Sequence, residues 1–199
     1  MNSPKTLLQM AGASTEPVRL TESAVVIIDA QNEYVSGKLP LSGVDAALDG
    51  IAQLLTAARA GGAPIFHVVH RGRAGGLFDP LGTMFQIHPK AAPAAGEKII
   101  EKELPNAFSK TALHLALQGT ERKSLVIAGF MTHMCVSATA RSALDHGWRT
   151  TIAADAAATR DLPDSLGGEP IPAAVIHRAA LAELADRFAT VARVADLSR

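Results

Sequence analysis

Six consecutive positions, Ser23-Ala-Val-Val-Ile-Ile28, carry small or apolar side chains without alternation and stop at Asp29. A strand with one wet face alternates polar and apolar residues; this one needs cover on both faces, the habit of a parallel sheet sandwiched between helices. Further strands are expected at Ala63 to Val69, Lys98 to Glu101, Leu125 to Ala128, Arg149 to Ala154 and Thr190 to Val194. Helical stripes separate them. Val44, Leu48, Ile51, Leu55 and Ala58 recur every three or four residues and end at Gly61-Gly62, where a left-handed cap fits. Ser109 is expected to cap a helix reaching Gly119, and Thr132 one reaching His146 whose inner face is Val136, Ala140, Ala143 and Leu144. Pro172 opens a last helix with the stripe Ile176, Ala180, Leu184 and Phe188. Strands alternating with helices predict an α/β fold with right-handed crossovers and a mostly parallel sheet of about six strands. Such sheets bind ligands beyond the carboxyl ends of their strands.

The chain has 199 residues, 48% of them hydrophobic, enough for one core. Residues 1–20 have no periodicity and are expected to be an N-terminal arm over the surface or a partner subunit, leaving 21–199 as a single domain. Nineteen basic residues balance nineteen acidic ones, so no net field draws nucleic acid or an anionic membrane, and the expected ligand is a small molecule. A lone cysteine forms no internal disulfide. With no apolar run near the ~20 residues that span a bilayer and no secretory pattern between Met1 and Pro17, a cytoplasmic location is expected.

Asp29 ends the first strand, Lys102 follows the third, and Cys135 lies at the start of the helix after the fourth. If the sheet is doubly wound, all three reach one crevice. A thiol at a helix start meets free N–H groups that favour thiolate, a carboxylate can take and return a proton, and a lysine can hold that carboxylate ionised. Each has an ordinary reading as well: buried inert cysteine, aspartate closing a turn, solvated lysine flanked by Glu101 and Glu103. The convergence at strand ends favours acyl transfer. Asp155, at another strand end, reads as a structural cap or a hydrogen-bonding support behind the site.

Asp29-Ala-Gln-Asn32, Glu101-Lys-Glu-Leu-Pro-Asn-Ala-Phe108 and Ala128-Gly-Phe-Met-Thr-His-Met-Cys-Val136, followed by Thr139-Ala-Arg141 and Asp155-Ala156, resemble the isochorismatase-like cysteine hydrolases from about residue 20 onward. The resemblance implies a Rossmann-like three-layer α/β/α fold and an Asp29, Lys102, Cys135 triad. It also implies a cis peptide between Phe130 and Met131, with the N–H groups of Met131 and Cys135 forming an oxyanion hole. The implied reaction is attack by Cys135 on a carbonyl carbon, loss of an amine and hydrolysis of the thioester. Nicotinamidase-like relatives carry an Asp-x-His pair after the second strand; His67-Val-Val-His70 has none, and its two histidines point to opposite faces of a strand. No metal and no cofactor are expected. True isochorismatases do not use this cysteine, so Cys135 favours the amidohydrolase branch that includes streptothricin-hydrolase-like proteins.

Tyr34, Phe78, Phe108, Phe130 and His133 are the expected substrate-binding wall, and the segment from Arg71 to Glu97 a flexible lid or a contact in a homo-oligomer. Two alternatives remain. One is a carbamoyl or ureido hydrolase in which Arg71 or Arg73 pairs with a substrate carboxylate. The other is a non-catalytic small-molecule-binding or thiol-sensing protein on the same fold.

Overall fold

The computed structural model describes residues 3–197. Strands β1 (Ser23–Ile28), β2 (Ile65–His70), β3 (Lys98–Lys102), β4 (Ser124–Phe130), β5 (Arg149–Ala158) and β6 (Thr190–Ala192) form one six-stranded sheet in the order β3-β2-β1-β4-β5-β6. Every pairing is parallel. The order turns back between β1 and β4, and there two crossovers leave the sheet in opposite directions and open a crevice at the strand ends.

All six β1 residues are buried, because alternate side chains feed two separate cores. Val25 and Ile27 pack with Leu48, Ile51 and Leu55 of helix α2 (Val44–Ala60). Val26 and Ile28 pack on the other face with Leu113 and Leu117 of α3 (Leu113–Gln118), Ala140 of α4 (Ser137–Asp145) and Leu184 of α5 (Ala173–Arg187). Each fully buried aliphatic side chain contributes roughly 1.5 to 3 kcal/mol. Close approach of β4 to β1 requires Gly129: its φ is 112°, and a Cβ would lie 2.0 Å from the Ile28 carbonyl oxygen.

Several boundaries differ from the sequence reading. Helix α3 starts at Leu113, not Ser109, because residues 103–112 are turns in which the Thr111 hydroxyl donates to the Ala107 carbonyl and accepts from the Leu113 N–H. Thr132 caps nothing: Thr132–Val136 is a single π-helical turn before α4, and the Thr132 hydroxyl donates to the Ala158 carbonyl. Strand β5 runs on to Ala158 through an irregularity, so Asp155 lies within it. There Asp155 accepts from the Val194 N–H at the start of an unforeseen last helix, α6 (Val194–Leu197).

The N-terminal segment lies against its own chain. A short helix, α1 (Leu7–Met10), meets α5 through a Leu7 N–H to Asp186 bond, and Val18 donates to Thr151. The stretch after β2 is likewise fastened rather than free: Phe78 N–H donates to the buried Glu33 carboxylate, Asn32 N–H to the Gln86 carbonyl and His88 N–H to the Ala30 carbonyl.

Candidate active site

The sharp ends of β1, β3 and β4 bring three side chains together. Asp29 turns out of β1 with a φ of 50°, a left-handed conformation that aspartate tolerates better than most residues. Its N–H still bonds the Val68 carbonyl of β2, so the strand is anchored up to the bend. Lys102 is the last residue of β3 and lies beside His70, its register partner in β2. Cys135 sits in the π-helical turn, entered through a cis peptide between Phe130 and Met131.

Lys102 Nζ is the centre of the group. It lies 2.7 Å from Asp29 Oδ2 and 3.3 Å from Cys135 Sγ. Both Asp29 and Lys102 have side chains with 0% exposure, and Cys135 is 5% exposed. Burial dominates the electrostatics: it pushes the Asp29 carboxyl above the usual carboxylate range, partly offset by Lys102. The Cys135 thiol is pushed up to about 12 by burial first and by the Asp29 charge second, against a smaller opposing pull from Lys102. A helix start alone favours thiolate; here the dry surroundings outweigh it, and the resting sulfur is a thiol.

The Isochorismatase domain family model matches residues 23–196. The chain belongs to the isochorismatase family. Among solved structures, an isochorismatase from Pseudomonas putida KT2440 superposes with a TM-score of 0.94 at 48% identity, covering 98% of this chain and 100% of that one. A secreted isochorismatase effector of Verticillium dahliae is 38% identical over 190 residues, 95% of this chain and 97% of its own length. A streptothricin hydrolase of Streptomyces noursei is 33% identical over 184 residues, 92% of this chain and 71% of its own length. The chain is thus a hydrolase of a family whose members act on amide and related C–N bonds.

Around Asp29, Lys102 and Cys135, the wall expected from sequence is only partly assembled. The Tyr34 ring meets Phe78 at 5.0 Å and Phe130 at 5.8 Å, all three nearly closed to solvent. Burial first, and the nearby Asp29 charge second, push the Tyr34 hydroxyl far up, so it stays a neutral phenol. Phe108 is elsewhere: its ring meets His146 at 4.9 Å and His114 at 6.4 Å, a separate cluster. The half-buried His133 bonds Thr159 through Nδ1, and burial and Arg160 lower its tendency to protonate. Arg71 pairs with Glu101 at 2.7 Å, so its guanidinium is already matched to a carboxylate within the chain. A cavity of about 310 Å³ lined by Arg71, Glu101, Lys102, Glu103 and Lys110 adjoins the end of β3.

Two residues that frame the triad were read differently from sequence. Gln31, fully buried, accepts from the His70 N–H at 2.8 Å and donates to the His70 carbonyl at 3.0 Å and the Phe85 carbonyl at 2.7 Å. His70, weighed from sequence only as a metal ligand, has Nδ1 3.3 Å from Lys102 Nζ. His67 points the other way, to Glu97 at 2.8 Å. Among the described residues no group of three or more His, Cys, Asp or Glu is placed to hold a metal ion. The signal for Gln31 was a long polar side chain two residues after a fully apolar strand, inside a motif otherwise read for its aspartate.

Proposed function

We propose that this protein is a metal-independent cysteine amidohydrolase that cleaves a non-peptide C–N bond of a small molecule through a thioester on Cys135. The observation that carries this reading is the buried Lys102 ammonium, within 2.7 Å of Asp29 Oδ2 and 3.3 Å of Cys135 Sγ. A thiol held up to about 12 is a poor nucleophile until its proton leaves. Asp29 takes that proton as Sγ bonds to the carbonyl carbon, and the carbonyl oxygen becomes an oxyanion received by the Met131 and Cys135 N–H groups. Collapse breaks the C–N bond, and the amine leaves with the proton from Asp29. Water then attacks the thioester, giving one proton to Asp29 and its hydroxyl to the acyl carbon; the carboxylic acid departs and the thiol is restored. Lys102, close to both, offsets whichever of sulfur or carboxylate is negative.

Tyr34, Phe78 and Phe130 support an apolar side for the substrate, with His133 a polar contact at the rim. A maleamate amidohydrolase relative supports an amide substrate. For the carbamoyl and ureido reading Arg71 is paired with Glu101 in an exposed ion pair, Arg73 is exposed, and an N-carbamoylsarcosine amidase relative supports the substrate class. The proposal includes action as a homo-oligomer, suggested by the exposed α5 residues Val175, Ala179 and Ala182, and a cytoplasmic location, suggested by the unpaired thiol.

A panel of small amides screened for ammonia or amine release, with intact mass spectrometry of quenched enzyme, tests the reading. Turnover with an acyl adduct on Cys135 is expected, and both Cys135→Ala and Asp29→Asn should lower it about 10³-fold or more. Near-native turnover by Cys135→Ala would overturn it. Alkylation of Cys135 with no amide turned over favours the thiol-sensing reading instead.

A further inference from the structure

An ammonium has three hydrogens to donate and no lone pair. In water any of the three finds a partner at once; a lysine with no exposed side-chain surface must find all three in the protein. Around Lys102 Nζ, Asp29 Oδ2 lies at 2.7 Å as an ion-pair partner outside hydrogen-bond geometry, and Cys135 Sγ accepts at 3.3 Å. The other hydrogen-bond contact is His70 Nδ1 at 3.3 Å. A ring nitrogen that accepts carries no hydrogen, so the neutral ring must carry its hydrogen on Nε2.

The rest of the fold holds this ring in place. Gln31 bonds both the N–H and the carbonyl of His70, fixing the backbone at the end of β2. Phe78 meets the ring edge-on at 5.1 Å, and the Phe78 backbone is itself tied to the buried Glu33 carboxylate. Burial first, and Lys102 second, push the His70 imidazole down to about 4, so the ring is an acceptor at neutral pH.

We propose that His70 is a positioning residue of this site: its unprotonated Nδ1 accepts a hydrogen from Lys102 Nζ and so keeps that nitrogen aimed at Asp29 and Cys135. The inference deepens the Asp29, Lys102, Cys135 reading above and rests on it for its catalytic meaning. Its own content is a hydrogen bond and a tautomer.

The test needs no substrate, because the chain has one cysteine. Iodoacetamide is the probe, and the rate of Cys135 modification is followed by intact mass from pH 7 to 11 in the full chain. His70→Phe keeps an aromatic ring against Phe78 but offers no acceptor, whereas His70→Asn sets an oxygen near the place of Nδ1. In His70→Phe the Lys102 nitrogen loses the partner that aims it, and the thiolate loses its close counter-charge. Alkylation at pH 8 should then fall about tenfold, the effect of a thiol pKa about one unit higher, with the rate–pH curve moved the same way. His70→Asn should stay within about twofold of the parent. A His70→Phe curve superimposing on the parent's, or an Asn variant as slow as the Phe variant, overturns the proposal, since a purely structural role lowers melting temperature without moving the curve. Nitrogen-15 NMR of the unmutated protein gives a second reading should His70→Phe not fold. Nδ1 should be unprotonated and Nε2 protonated; the reverse tautomer refutes the assignment. Amide turnover is absent from both measurements, so the hydrolase reading and this one can fail separately.

Discussion

Removing one partner from a buried ion pair leaves the other charged in a medium that cannot solvate it, a loss of about 3 to 5 kcal/mol. Lys102→Met should destabilise the protein by that amount at neutral pH, since its side chain and that of Asp29 have no exposure. In an Asp29→Asn background the same change should cost a fraction as much, and urea unfolding of the four proteins measures the difference. The sign with pH follows from the raised Asp29 carboxyl. A raised acid contributes its stability below its ordinary value and loses it as pH climbs, so Lys102→Met should be least damaging in mild acid. Cys135 gives the alkaline counterpart. From its ordinary value of 9.0 up to about 12 the folded thiol keeps a proton that the unfolded one releases, and the native state loses about 1.4 kcal/mol of stability per pH unit. Cys135→Ala lacks that loss; its stability relative to the parent should rise at this slope between pH 9 and 11 in denaturant titrations. Asp29, Lys102 and Cys135 were legible in sequence because Asp29 and Lys102 close recognisable strands and Cys135 follows the turn after a third, inside motifs shared with a known family. His70 and Gln31 were not, because what defines them is contact across β1, β2 and β3, and a one-dimensional pattern carries no register between strands.

At the level of elements, the strands and the long helix α2 follow from periodicity, and the errors gather at helix starts. Residues such as Ser109 and Thr132 have the right chemistry to cap a helix, yet tertiary partners claimed the backbone first: Thr111 bonds across its own turn, and Thr132 is drawn to Ala158 at the end of β5. The π-helical turn over Thr132–Val136 has no sequence period of its own. Gly129 is the most exacting position in β4. A methyl group there would meet backbone atoms of Ile28, which cannot swing aside as a side chain can. Gly129→Ala should cost at least about 2 kcal/mol, through both the clash and the positive φ, and depress the melting temperature more than an alanine at Gly62, where nothing lies within 4 Å of the added carbon.

On the scale of the molecule, two cores share one sheet, and β1 lies at their junction with every residue buried. Amide hydrogens of Val25 to Ile28 should exchange only when the whole chain unfolds, while those of exposed residues such as Leu81 should exchange orders of magnitude faster; hydrogen-exchange NMR reads both. The sheet order 3-2-1-4-5-6 has one more consequence. Asp29, Lys102 and Cys135 come from three separate crossover units, and neighbours in the triad are 73 and 33 residues apart in the chain. No fragment holding one or two of those units contains the group, and a collapsed intermediate with β3 undocked lacks its cation. The ion pair at the strand ends is therefore a clock for one step of assembly, and the appearance of its chemistry during refolding times the docking of β3 more directly than any spectroscopic signal of secondary structure.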